Sequence, residues 1–209
     1  MTDLENKLKQ CGKPTNDEGR ALVEKMNESH FPLTSWGLEM INISDTDTIL
    51  DIGCGGGRTI SLLAKKTPKG KVFGIDHSPD CVKWSTEYND PLIKAGQVDI
   101  LQASVEKIPF KDNFFDLVTA VETIYFWPKI IENFREVRRI LKPGGGFLII
   151  NEMYLSEAFR ERNDKCMATE RMTIYSPEQL KLLLKDSGFK NISINLIESK
   201  NWLRSLAFR

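Results

Sequence analysis

Thr48-Ile49-Leu50-Asp51-Ile52-Gly53-Cys54-Gly55-Gly56-Gly57 carries the most specific local signal in this 209-residue chain. The apolar run is too short for a helix and is closed by glycines, so it reads as a buried strand feeding a tight turn. Ile60, Leu63 and Ala64 follow at helical spacing, so the turn opens onto a helix over about Gly57 to Lys66. Glycine lets the backbone turn sharply and approach a ligand with no Cβ in the way. The free N–H groups at a helix start favour a polar or anionic ligand. In an open parallel sheet, such a turn lies beyond the carboxyl ends of the strands, where ligands bind.

Working outward, short apolar runs alternate with helical periodicity, as a parallel α/β sheet requires. Strands are expected at Lys71 to Ile75, Val98 to Leu101, Phe115 to Val121 and Phe147 to Ile150, with a closing pair at Ile192 to Ile197 and Trp202 to Phe208. Ser78-Pro79-Asp80 opens a helix with a capping serine and a proline at the first helical position. Ile130, Ile131, Phe134, Val137, Ile140 and Leu141 keep a 3.6-residue period over Lys129 to Leu141, and Lys142-Pro143-Gly144-Gly145 is expected to stop that helix. Ser176-Pro177-Glu178-Gln179 reads as a capping box for a late helix ending at Gly188. Residues 1 to about 45 are polar and helical in pieces. Ala21, Leu22, Lys25 and Met26 share one face, Phe31-Pro32-Leu33-Thr34 interrupts, and Trp36 to Ile41 adds a turn or two.

Composition narrows the function. Lys plus Arg and Asp plus Glu number 29 each, with no long run of one sign. Neutralising phosphates needs a basic face, so this balance argues against a nucleic-acid substrate. Cys11, Cys54, Cys81 and Cys166 form no C-x-x-C pair, so neither a zinc site nor a disulfide framework is expected and no metal is assigned. The start, Met1-Thr2-Asp3-Leu4-Glu5-Asn6-Lys7, has no apolar core of a signal peptide, and no apolar run approaches the ~20 residues that span a bilayer. A cytoplasmic protein with no integral membrane association is expected. Oligomeric state is left open.

A dinucleotide site is the competing reading of the glycine turn. Its G-x-G-x-x-G pattern needs a third glycine for close helix–strand packing, and that position holds Arg58; the glycines here run G-x-G-x-G at 53, 55 and 57. An NAD-dependent oxidoreductase is therefore the weaker alternative. Asp76, 19 residues past Gly57 at the end of the second strand, can accept both hydroxyl protons of a ribose, which suits any adenosine-containing ligand.

With Asp51-Ile-Gly-Cys-Gly-Gly-Gly57 go four further segments in order: Gly74-Ile-Asp76, Ser104-Val-Glu-Lys-Ile-Pro-Phe110, Asp112-Asn-Phe-Phe-Asp-Leu-Val118 and Leu141-Lys-Pro-Gly-Gly-Gly146. Over roughly residues 45 to 151 the chain thus resembles the class I S-adenosylmethionine (SAM)-dependent methyltransferases, and within them the small-molecule branch of ubiquinone/menaquinone-type enzymes. The resemblance implies an α/β, Rossmann-like fold: a seven-stranded, mostly parallel sheet with helices on both faces and an antiparallel final strand. It implies an N-terminal helical cap over residues 1–45 and a SAM-binding domain over 46–209. It implies SAM as cofactor and a small-molecule acceptor, with Asp51, Gly53, Cys54 and Gly55 along the methionine end, Asp76 on the ribose, and His77, Ser104 and Val105 around the adenine. Many relatives carry aspartate where Ser104 stands, and serine accepts the adenine amino proton more weakly. A SAM-binding protein without catalysis would keep the same motifs.

Methyl transfer from a sulfonium is an in-line displacement that needs no covalent enzyme intermediate. Alignment can supply most of the rate, since effective molarities reach about 10⁵–10⁸ M. The absence of G-x-S-x-G and H-E-x-x-H motifs therefore does not exclude an enzyme, although it removes support for hydrolase chemistry. Glu122 and Tyr125 follow the fourth strand at the ligand edge of the sheet, and Glu152 follows the fifth. Glu122 also suits the ammonium of SAM, because a buried carboxylate needs a partner. His30 lies in the segment that commonly covers the substrate in this family. Glu122, Tyr125 and His30 are the candidate catalytic residues. Trp127 divides between pocket and core, and Arg58 reads as solvent-facing.

Overall fold

The computed structural model describes residues 3–39 and 41–209. Met1 and Thr2 of the polar N-terminal start, and Met40 within the expected Trp36–Ile41 turn, lie outside them.

Helices α1 (Asp3–Gly12), α2 (Asn16–Ser29) and α3 (Phe31–Glu39) precede the sheet. Then come β1 (Thr48–Ile52), α4 (Arg58–Lys66), β2 (Lys71–Asp76), α5 (Pro79–Tyr88), α6 (Asp90–Lys94), β3 (Val98–Gln102), β4 (Phe115–Val121) and α7 (Ile130–Ile140). The chain closes with β5 (Leu141–Asn151), α8 (Arg160–Met167), α9 (Pro177–Asp186), β6 (Lys190–Ile197) and β7 (Trp202–Phe208). The seven strands form one sheet in the order β3-β2-β1-β4-β5-β7-β6. β7 runs antiparallel to β5 and β6, and the other pairs are parallel. The expected α/β architecture is present. The order reverses at β1, which lies between β2 and β4, so a crevice opens beyond its carboxyl end.

Alternate residues of a strand face opposite sides, and both sides here are buried. Leu50 and Ile52 pack with Phe115, Phe147, Phe134 and Val137 beneath α7 and α9. Ile49 packs with Ile60, Leu63, Val72, Leu148 and Ile150 beneath α3 and α4. Gly37 lets α3 settle onto the carboxyl end of β5, since a Cβ there would overlap the Ile150 side chain. That close approach brings the N-terminal helices over the crevice.

Two local expectations are corrected. The interruption falls at His30, between α2 and α3, and residues 31–34 are helical, so Pro32 itself causes no break. It lies in the first turn of α3, where a missing N–H breaks no helical bond. Lys142-Pro143-Gly144-Gly145 is not a free turn ahead of a short strand. It is carried within β5 as an irregularity, with register shifting between Phe115↔Leu141 and Leu117↔Gly146, Gly144 at φ +78°, and Lys142 Nζ held 2.7 Å from Asp116. α8, in a stretch for which the sequence suggests no element, forms although its sequence, Arg-Glu-Arg-Asn-Asp-Lys-Cys-Met, lacks an apolar stripe. It is anchored by Asn163, whose side chain donates to the Tyr154 carbonyl at 2.8 Å. The α9 capping box is as expected: Ser176 Oγ accepts from Gln179 N–H at 3.2 Å, and Ser176 N–H donates to Gln179 Oε1 at 2.8 Å.

Candidate functional site

The three spaced glycines all adopt positive φ: +73° at Gly53, +51° at Gly55 and +80° at Gly57. Each is glycine for a different reason. A Cβ on Gly53 would overlap Thr123 Oγ1, and one on Gly57 would overlap Asn89 and Ser85 of α5. A Cβ on Gly55 would meet nothing nearer than the Gly53 carbonyl at 4.0 Å, so its bare face opens onto empty space. The turn is tied to β2. Gly53 and Cys54 N–H both donate to the Ile75 carbonyl, at 2.8 and 3.1 Å. Gly55 N–H donates to Asp76 Oδ2 at 3.0 Å, while Asp76 Oδ1 accepts from Ser78 N–H at 2.9 Å. Burial raises the Asp76 carboxyl above the usual carboxylate range, opposed by those two backbone donors.

Above the turn lies a cavity of about 500 Å³, within the ~300–1,000 Å³ typical of small-molecule sites. Gly53, Cys54, Gly55, Asp76, His77, Ser104, Val105, Glu122 and His30 all line it, so the topology brings together nine of the residues singled out from the sequence. Asp51 and Tyr125 do not line it. Asp51 lies behind the turn, where its Oδ1 accepts from Thr119 Oγ1 at 2.6 Å and burial lifts its carboxyl to about 7. Tyr125 is buried in a small cluster with Leu8, Met172 and Ile174, and reaches the site through its hydroxyl alone.

That hydroxyl donates to Glu122 Oε1 at 3.2 Å and accepts from Met153 N–H at 3.0 Å. Glu152 N–H also donates to Glu122 Oε1. Glu122 itself is held at φ +57°, in the left-handed region. Burial, then the neighbouring Glu152 charge, pushes the Glu122 carboxyl well above its ordinary value. His30, at the end of α2, places Nε2 3.9 Å from Glu152 Oε1. Burial lowers its pKa, opposed by Glu152, which favours a neutral imidazole. One ligand atom from each of His30, Glu122 and Glu152 lies within 4.8 Å of the others. Trp127 serves core and cavity together. Its ring stacks on Phe147 at 6.2 Å, and Nε1 donates to Thr123 Oγ1 at 3.3 Å.

Arg58 departs from its solvent-facing expectation. It pairs with Glu28 of α2, its guanidinium stacks 4.4 Å from the Phe31 ring centroid, and it lines the cavity. Asn27, whose amide donates to the Gly56 carbonyl at 3.4 Å, and Thr123, which packs on Gly53, were not legible as site residues. Their contacts join segments far apart in the chain. The periodic face of α2, through Met26, and His30 were the sequence signals that touched the helical wall.

A methyltransferase-domain family model matches residues 50–149. The chain is 28% identical over 136 residues to the sterol 4-C-methyltransferase strm-1 of Caenorhabditis elegans, covering 65% of this chain and 39% of that protein. It therefore spans about two fifths of that relative's length. Among solved structures, the methyltransferase from a Haloferax volcanii complex with the Trm112 methyltransferase activator superposes with a TM-score of 0.79 at 19% identity, covering 100% of this chain and 98% of that one. A SAM-dependent methyltransferase from Aquifex aeolicus superposes at 0.71 with 22% identity, covering 100% and 99%.

Proposed function

We propose that this chain, whose residues 50–149 match a methyltransferase-domain family model, is a class I SAM-dependent methyltransferase that transfers the methyl group of SAM to a small-molecule acceptor in the cytoplasm. The observation that carries the reading is the open face of Gly55 beside the Asp76 carboxylate, in the same cavity as His30 and Glu122. SAM supplies an electrophilic methyl group on a sulfonium. The residues present fit it: a cradle that any Cβ at Gly55 would fill, an acid at the strand end, and space for a nucleoside.

In this reading Gly53, Cys54 and Gly55 receive the methionine part, with Asp51 supporting the turn from behind. Asp76 accepts from the ribose hydroxyls while holding Gly55 in place. His77, Ser104 and Val105 border the adenine. Residues 1–45 act as a helical cap on the domain formed by 46–209, and α2 and α3 close the cavity against water. Glu122 and His30 face the acceptor, His30 with a neutral nitrogen lone pair. Tyr125 is a positioning residue that orients Glu122 through its hydroxyl. The chain's main contribution to rate is alignment of donor and acceptor.

Calorimetric titration with SAM, S-adenosylhomocysteine and NAD in parallel tests the cofactor assignment. Micromolar binding of the first two and none of NAD is expected; the reverse overturns it. Release of S-adenosylhomocysteine across a panel of small acceptors then separates a catalyst from a SAM-binding protein without chemistry.

A further inference from the structure

We propose that His30, Glu122 and Glu152 form a divalent-cation site at the acceptor end of the cavity. The three side chains come from three elements: the end of α2, the residue after β4 and the residue after β5. Two ligands bound to one ion at about 2.1 Å stand roughly 3 to 4 Å apart. His30 Nε2 and Glu152 Oε1 are 3.9 Å apart, and the whole set spans at most 4.8 Å. A small rotation of the half-buried Glu152 side chain therefore closes the triad on an ion.

Glu122 is prepared for such a role by its surroundings. Its Oε1 takes both the Glu152 N–H and the Tyr125 hydroxyl, which fixes the carboxylate plane and leaves Oε2 for a ligand. Outer partners of this kind orient metal-binding carboxylates. His30 and Glu122 line the cavity wall, so an ion held between them has its remaining coordination positions on the cavity side. One imidazole with two carboxylates suits a borderline or hard divalent ion of the manganese or zinc type, rather than a thiolate-seeking one. The ion would hold an oxygen-bearing acceptor and make its hydroxyl more acidic. That catalytic place rests on the methyl-transfer reading; the binding of the ion does not.

Electron paramagnetic resonance of Mn²⁺ titrated into chelator-stripped full chain tests the site, because Mn²⁺ avoids the thiols of Cys11 and Cys54 that also line the cavity. One saturable ion per chain is expected, at least tenfold weaker in both Glu152→Gln and His30→Ala. Glu152→Gln keeps shape and leaves the fold untouched, which thermal melting of both variants verifies. No saturable binding, or binding unchanged in both folded variants, overturns the proposal. SAM titrated into the same stripped protein reads the cofactor assignment separately, so either can fail while the other stands.

Discussion

Gly53 and Gly55 occupy the same unusual region of backbone space, yet they answer to different neighbours. A left-handed conformation costs a non-glycine residue about 1–2 kcal/mol. Gly55→Ala is expected to lose about that much stability, by urea denaturation, and to lose SAM binding because its new methyl group enters the cavity. Gly53→Ala adds an overlap with Thr123 and should be the more destabilised of the two. Equal stabilities, or a Gly55→Ala variant that binds SAM normally, would contradict this division. Asp76→Ala is expected to weaken SAM by about 1.5–3 kcal/mol through lost charge-assisted bonds. An unchanged calorimetric affinity would remove Asp76 from the site. Asp51 gives a pH signature. Its folded value near 7 lies above its unfolded value of 3.8, so its stabilising contribution is full below pH 3.8 and is lost as pH rises toward 7. Asp51→Asn should therefore raise the melting temperature at pH 8 relative to the parent and change it little at pH 4. The motif residues and Asp76 were legible one by one because each sits at a strand end or turn with its own local chemistry. That Asp51 would lie behind the turn was not, since β4, through Thr119, puts it there.

The elements were legible to different degrees for a physical reason. β1, β4, β7, α7 and α9 carry period, caps or breakers within their own residues, and their bounds agree with expectation to within a residue or two. β5 begins earlier than Phe147 because pairing with β4 extends a strand across residues that in isolation favour a turn. α8 has no amphipathic signal to find, and a tertiary anchor at Asn163 supplies what the pattern lacks. α3 packs through Leu33, Trp36 and Leu38, and its tightest approach to β5 is at Gly37. Gly37→Ala would force its Cβ into Ile150, and overpacking of this kind costs about 1–3 kcal/mol. Lower urea stability is expected, together with weaker SAM binding, as the wall bearing His30, Phe31 and Thr34 shifts. A variant that loses neither would show that the helix can ride outward at no cost.

At the scale of the molecule, the cavity is closed by two bodies of chain that meet only in the folded state. The glycine turn and the strand ends form its floor, and α1 to α3 form its roof, with Arg58 and Asn27 bridging them. A ligand held between floor and roof should protect both. Hydrogen exchange is expected to slow on SAM addition in residues 11–34 and 51–57 together, with a stabilisation of about 2.7 kcal/mol at a hundredfold excess over Kd. Protection of the floor alone would mean that the helices do not cover the ligand. Among the described residues, no helix is long and apolar enough to cross a membrane.

The sequence by itself determined the alternation of strands and helices, the glycine corner and the acid one strand away. Those signals act over a turn, a cap or one βαβ unit, where sterics and periodicity operate without help from distant chain. Only the tertiary structure decided which residues face the cavity, that the Tyr125 hydroxyl reaches Glu122 from outside it, and that His30, Glu122 and Glu152 converge. Their separations of 92 and 30 residues carry no local pattern; packing of α2 and α3 across the ends of β4 and β5 is what makes them neighbours.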